Sequence, residues 1–330
     1  MTRDRSRPRL RRRDRNALVA AALTALSLTA SGCVVVRGER EVLPAATRAE
    51  AAKALRDFTK AYNAADKTYD ASLDAGRVTG ALADIDGARL EAGRANHPEG
   101  NPAHTPLELT DARFTIVEKA GWPRWFLADA RANKGGDARW LLVFTRGSRD
   151  AAWEVAYLTL VAPGEVPAFK KDEDGHAEAV PADSPELAVS PSDLSRSYVS
   201  YLKDGKAPFA DGTHTSDWRE QREKNANRPG LARQYIDGPL AEGGYAPLAL
   251  RTADGGALVF FATHHYEKQT AAAGASVPTP GDDVLALTSG EIKQSLTLEF
   301  VSNEVVLDPR KGAEVKMLGR IQGLTGAKGE

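Results

Sequence analysis

Helical signals followed by strand signals, and then the same order again, constrain this chain more than any single motif. Thr47-Arg48-Ala49-Glu50 reads as a capping box, in which the Thr hydroxyl and the Glu carboxylate each meet a backbone N–H that the helix leaves unpaired. Apolar residues follow at Ala51, Leu55, Phe58, Tyr62 and Ala65, all on one helical face, so the spacing predicts an amphipathic helix over 48–65. A weaker helical stretch carries Val78, Leu82 and Ile85, with Gly76, Gly80 and Gly87 interrupting it. The segment from His97 to Pro106 holds three prolines and reads as a loop. Strand signals then take over at Arg113–Glu118, Trp122–Ala128, Trp140–Thr145 and Trp153–Val161, the middle two as a long hairpin.

Residues 163–190 are rich in Pro and acidic groups and read as a linker. Ser190-Pro191-Ser192-Asp193 then opens a helix again, with Pro at its first position, and Leu194, Tyr198, Tyr201 and Leu202 continue it at helical spacing. A further helix is predicted over 216–226, carrying Trp218. Strand signals return at Tyr245–Thr252, Ala257–Lys268, Ser295–Leu307 and Glu314–Gln322. The run from Gly135 to Thr145 is echoed by the run from Gly255 to Thr263. Helices first and antiparallel strands afterwards, twice, predict an α+β fold of two tandem helix-then-antiparallel-sheet domains, 47–162 and 191–330. That plan is similar to the NTF2-like or cystatin-like architecture, a likeness of fold that carries no function with it.

The N-terminus has a different character. Residues 1–16 hold eight Arg and two Asp, and an uncharged, mostly apolar run, ALVAAALTALSLTA, follows. Basic segment, short apolar run and small-residue exit read as a secretory signal over 1–32. The apolar run is short of the roughly 20 residues a membrane span needs. Ala30-Ser31-Gly32-Cys33 resembles a lipobox, with Ala30 where Leu is commoner. The resemblance implies a diacylglyceryl group on the Cys33 thiol, cleavage just before it, usually a third acyl chain on the new amino group, and a lipidated tether over 33–46. The mature chain would then sit on the outer face of the cell membrane. Two acyl chains anchor stably where one is marginal. The other readings are an ordinary signal with a chance Cys and an uncleaved anchor; Arg11-Arg12-Arg13 leaves twin-arginine export open beside the general route.

Cys33 is the chain's single cysteine. Lipidation accounts for it and leaves no thiol, so no internal disulfide can form and burial must supply the stability. A hydrophobic content of 42% suffices for that. The formal charge is −1 for the whole chain, and removing the +6 of the basic segment leaves −7. An acidic body has no electrostatic footprint for nucleic acid, and its net charge would not draw it to anionic lipid.

No dinucleotide, phosphate-loop, nucleophile-elbow or zinc-protease motif occurs, so no catalytic residue, metal ligand or cofactor is assigned, and the closing GLTGAKG lacks phosphate-loop spacing. His264 and His265 are neighbours on a strand and should point to opposite faces, while His97, His104, His176 and His214 are scattered. Trp122, Trp125, Trp140 and Trp153 are expected to fill a core, with a ligand-lined concavity as the alternative. Asp129 and Asp137 are expected to solvate a turn. Acid–base chemistry would need Tyr157, Asp111 and His264 on one inner face.

The segments GCVVVRGEREVLPAATRAEA, NPAHTPLELTDARF, GWPRWFLAD, RWLLVFTR and IQGLTGAKGE resemble an uncharacterised actinobacterial lipoprotein family. The resemblance implies the lipid anchor and a domain of unknown function over nearly all of the mature chain. It implies no catalytic residue, substrate or cofactor. The expectation is a lipid-anchored cell-envelope lipoprotein, a non-enzymatic module for an envelope protein or a small ligand. The alternative is an extracytoplasmic enzyme with a pocket in a curved sheet.

Overall fold

The capping box forms as its residue types dictate. Thr47 Oγ1 accepts from the Glu50 N–H at 3.1 Å and Glu50 Oε2 accepts from the Thr47 N–H at 2.7 Å. The computed structural model describes residues 42–330; the signal over 1–32, Cys33 and most of the tether lie outside the described residues. The described chain opens with β1 (Leu43–Pro44), followed by α1 (Arg48–Thr68), α2 (Gly80–Asn96), β2 (Leu109–Ile116), β3 (Glu118–Lys119), β4 (Arg124–Ala132), β5 (Arg139–Arg146) and β6 (Glu154–Val161). Strands β2-β4-β5-β6 make a four-stranded antiparallel sheet, and Ala51, Leu55 and Phe58 of α1 join its core. β1 pairs with β3, and Ala45 and Ala46 are buried, so the last residues expected in the tether are built into the body.

The second half supplies α3 (Pro191–Asp204), α4 (Ser216–Ala226), β7 (Asn227–Arg228), β8 (Leu231–Leu240), β9 (Leu248–Arg251), β10 (Ala257–Ala271), α5 (Asp282–Ala286), β11 (Thr288–Ser289), β12 (Ser295–Asp308) and β13 (Lys316–Gly329). Its seven-stranded sheet runs β11-β13-β12-β10-β8-β7, with β9 beside the start of β10; only β11 against β13 is parallel. The architecture is α+β, with the long helices of each half before its main antiparallel strands and only the five-residue α5 between those strands. The 10-residue strand β8 was not legible in the sequence, because LARQYIDGPL carries Gly and Pro and buries little of its length.

Strands β10 and β12 are covered on both faces, which explains the unbroken apolar run Ala257–Ala262. Leu258, Phe260, Val301 and Val305 turn one way and share a core with Trp125, Phe126, Phe144 and Trp153. Val259, Phe261 and Val306 turn the other way and meet Leu194, Tyr198 and Tyr201 of α3. The larger core therefore draws on both halves of the chain, although the order of elements divides them at 163–190. That segment itself bridges to Val117 through Ala177 and to Leu250 and Thr252 through Ala179 and Phe169. Two glycines mark where the halves meet backbone to backbone. A Cβ on Gly80, held at φ 55°, would stand 2.2 Å from the Gly244 carbonyl oxygen, and one on Gly319 2.3 Å from that of Leu160.

Candidate functional site

Helix α3 is placed by its apolar stripe and by one hydroxyl. Ser195 Oγ donates to the Ala262 carbonyl at 2.6 Å and accepts from the Leu240 N–H at 2.9 Å, tying the helix to β10 and β8. Helix α4, SDWREQREKNA, has almost no apolar face, so its seating depends on polar contacts. Arg222 reaches to β8 and donates two parallel hydrogen bonds to Asp237, at 2.8 and 2.9 Å. Trp218 lies between the guanidinium groups of Arg222 (4.9 Å) and Arg320 (4.7 Å).

Beneath Trp218, the sheet face turns from apolar to charged as β10 passes from Phe261 to Thr263 and His265. Glu304, with no solvent exposure, accepts from Thr263 Oγ1 at 2.7 Å and lies 3.6 Å from Arg320 Nε. Arg320 also donates to Ser302 Oγ at 3.1 Å, and the His265 ring stacks on Phe300. Burial, only partly offset by Arg320, pushes the Glu304 carboxyl up to about 7. Burial, reinforced by the charges of Arg320 and Arg222, pushes His265 down to about 2, so its ring is neutral. Glu304 Oε2 and Arg320 Nε have no hydrogen-bond partner among the described residues.

An open pocket of about 480 Å³ lies beside this sealed network, between α3, α4 and β8. Val199, Leu202 and Ile236 give it an apolar wall; Arg219, Arg222 and Arg233 give it guanidinium donors. The Nε of Arg219 and of Arg222 is buried without a hydrogen-bond partner among the described residues, while Arg233 Nε lies 3.0 Å from Glu267. Ile236 is 54% exposed, one of the few large apolar side chains left in solvent.

Of the residues singled out in the sequence, His265 and Trp218 belong to this network and the others fall elsewhere. His264 and His265 do diverge: His264 sits by Tyr266 and Gly238, away from Trp218. Trp125, Trp140 and Trp153 are buried in the larger core, as expected, but Trp122 is exposed. Asp129 does not solvate a turn: it is buried and paired with Arg139 Nε at 2.6 Å, because β4 and β5 extend past the expected strand ends and carry both residues inward. Asp137 is exposed. Tyr157, Asp111 and His264 have separate partners. Tyr157 donates to the Tyr245 and Ala246 carbonyls, and Asp111 is held by Arg139 at 2.7 Å. Arg222, Asp237, Glu304 and Arg320, which build the network, gave no signal in the sequence. Glu304 and Arg320 are charges inside strand-like runs, whereas Arg222 stands in a polar helix and Asp237 in a strand without an apolar pattern.

Two other polar groupings stand out. Asp66 accepts from Arg89 at 2.6 Å and lies 2.7 Å from His104 Nδ1, while Arg89 also holds Asp86 at 2.8 Å. Burial, then contact with Asp86, pushes Asp74 well above the ordinary carboxylate range. Glu118, Asp172 and His176 each offer a ligand atom, all within 4.8 Å of one another, a grouping that their spacing in sequence conceals.

Comparison with known proteins adds the family. A model described as a domain of unknown function, DUF8094, matches residues 42–329. The chain is a member of the DUF8094 family. It is 69% identical to an uncharacterized lipoprotein of Streptomyces coelicolor and 60% identical to one of Streptomyces avermitilis, with all of each chain covered. A second uncharacterized lipoprotein of Streptomyces coelicolor is 26% identical over 97% of this chain and 96% of its own. The DUF8094 chain thus groups with lipoproteins. No solved structure matches it, so the NTF2-like and cystatin-like comparison rests on the order of elements alone. No helix among the described residues is long and apolar enough to cross a membrane.

Proposed function

We propose that the protein is held on the outer face of the cell membrane by lipid on Cys33, and that its body is a non-enzymatic module that binds a small ligand or an envelope partner. The observation that carries the binding reading is the pocket between α3, α4 and β8. It combines an apolar wall with the guanidinium groups of Arg222 and Arg233, fixed by Asp237 and Glu267, and that of Arg219, whose nearest carboxylate, Glu223, is 4.0 Å away. The lipoprotein relatives and the lipobox support the anchor.

The enzyme reading has one observation in its favour, the carboxyl of Glu304 poised near 7 behind that pocket. General acid–base work needs the group within hydrogen-bond reach of a substrate. Glu304 has no exposure, and Thr263 and Arg320 surround it, so the binding reading is favoured.

Two experiments test the proposal. Cells given a labelled fatty acid should label the wild type and not Cys33→Ala; an unlabelled wild type removes the anchor. Screening small molecules for a raised unfolding temperature should yield ligands whose effect is lost in Ile236→Asp. Ligands unaffected by that change would place binding elsewhere.

A further inference from the structure

Six large apolar side chains are markedly exposed among the described residues, and three of them, Val42, Leu43 and Trp122, lie at one edge. The other three, Leu73, Ile236 and Leu285, sit on separate elements. Leu43 pairs with Lys119 across β1 and β3, and Trp122 follows β3 in the turn into β4. Arg124 binds the edge together. Its guanidinium lies 5.0 Å over the Trp122 ring and donates to the Pro44 carbonyl at 3.1 Å. Arg146 flanks the same ring at 5.4 Å.

Neither arginine forms an ion pair among the described residues, and each has a buried Nε without a partner there. Each charge acts on the other: Arg146 is held below the usual guanidinium range by burial and by Arg124, against the pull of Glu50. Glu50 is already committed to the Thr47 N–H. Two adjacent guanidiniums beside an exposed indole thus form a cationic, amphipathic edge on a chain whose net charge is negative.

Connectivity says what this edge faces. Val42 is nine positions beyond Cys33. A fully extended chain of that length spans at most about 30 Å. Once Cys33 is lipidated, the edge cannot leave the neighbourhood of the bilayer, whereas surfaces elsewhere on the body can. Indole rings favour the membrane–water interface, and Arg near it gains from anionic headgroups.

We propose that Val42, Leu43 and Trp122, with Arg124 and Arg146, form a membrane-docking edge that lays the body against anionic phospholipid headgroups. The inference rests on the Cys33 anchor and adds a second, weaker contact that orients the body. Two signals together hold a protein at a bilayer more firmly than one.

The test uses the full lipidated protein in phosphatidylcholine vesicles brominated in the acyl chains, with or without phosphatidylglycerol. Flotation reads the anchor, and quenching of tryptophan fluorescence reads the edge. Wild type should float, and its quenching should grow with phosphatidylglycerol. Trp122→Phe should still float and lose that quenching, since Trp125, Trp140 and Trp153 are buried and Trp218 is half-buried between Arg222 and Arg320. Arg124→Gln with Arg146→Gln should float and keep Trp122 but lose the phosphatidylglycerol dependence. Equal quenching of wild type and Trp122→Phe in floating vesicles overturns the edge and leaves the anchor standing. A phosphatidylglycerol response unchanged in the double variant overturns the assignment of anionic lipid. A wild type that does not float removes the anchor, and the proposal falls with it.

Discussion

Two of the charge networks among the described residues place buried carboxyls in different company. In the first half, Asp66, Asp74 and Asp86 gather around a single guanidinium, Arg89, with His104 at the side. Carboxylates outnumber cations there, and burial, reinforced by the neighbouring Asp86, raises Asp74. In the second half, Arg222 and Arg320 face Asp237 and Glu304, and formal charge is balanced. There the perturbation comes from depth: Glu304 is raised and His265 lowered mainly by desolvation. Burial leads at both carboxyls, but a neighbouring carboxylate adds to it at Asp74 whereas a guanidinium opposes it at Glu304, so the two networks should respond differently to mutation.

The largest effect is expected at Arg320. Arg320→Met leaves Glu304 fully buried and unpaired, a loss of roughly 3–5 kcal/mol. Urea unfolding measures it, and adding Glu304→Gln should restore part of the loss. If Arg320→Met costs no more than a surface change, the deep network does not depend on its ion pair. Arg89→Met should cost less, about 1–2 kcal/mol, because the Arg89 side chain is 37% exposed and solvent screens its pairs. Ser195→Ala should cost about 1–2 kcal/mol by removing the buried hydrogen bond to the Ala262 carbonyl and the acceptor of the half-buried Leu240 N–H.

The pH responses sharpen the contrast. Asp74 has its folded pKa raised above its unfolded value. Its stabilisation is complete below the unfolded pKa and is lost as pH rises through the raised one. Asp74→Asn should flatten that decline. Glu304 has the same sign, losing stabilisation between the ordinary carboxyl value of 4.5 and about 7. His265 has the opposite sign. Its folded pKa lies below its unfolded value of 6.5, so its contribution is present above 6.5 and fades as pH falls toward about 2. Glu304→Gln and His265→Asn should therefore tilt the stability–pH curve in opposite directions between 4.5 and 6.5, as read by unfolding midpoints. Parallel tilts would show that desolvation does not govern this network. The smallest expected change is at Trp122, where Phe should alter stability by less than about 0.5 kcal/mol.

Local signals were legible where they act within one turn or one strand. The capping box at Thr47, the proline that opens α3 and the apolar run of β10 each need only near neighbours. Their elements appear close to the expected places. Strand β8 was missed because its residues earn their place through pairing with β10, not through an apolar face of their own. The burial of Asp129 leaves no mark in the adjacent sequence because its partner, Arg139, stands ten positions away on the next strand. The network around Glu304 was invisible for the same reason: β8, β10, β12 and β13 and helix α4 each contribute a residue.

By itself the sequence determined the α+β class, the order of helices and sheets, and the lipobox at Cys33 from which the anchor is inferred. These depend on periodicity, caps and one short motif, all written in adjacent residues. Only the tertiary structure decided that the larger core crosses the two halves, that Gly80 and Gly319 let their backbones touch, and that charges far apart in the chain converge beneath Trp218. Such features come from strand register and close packing, which unite residues that carry no mark of one another in the sequence.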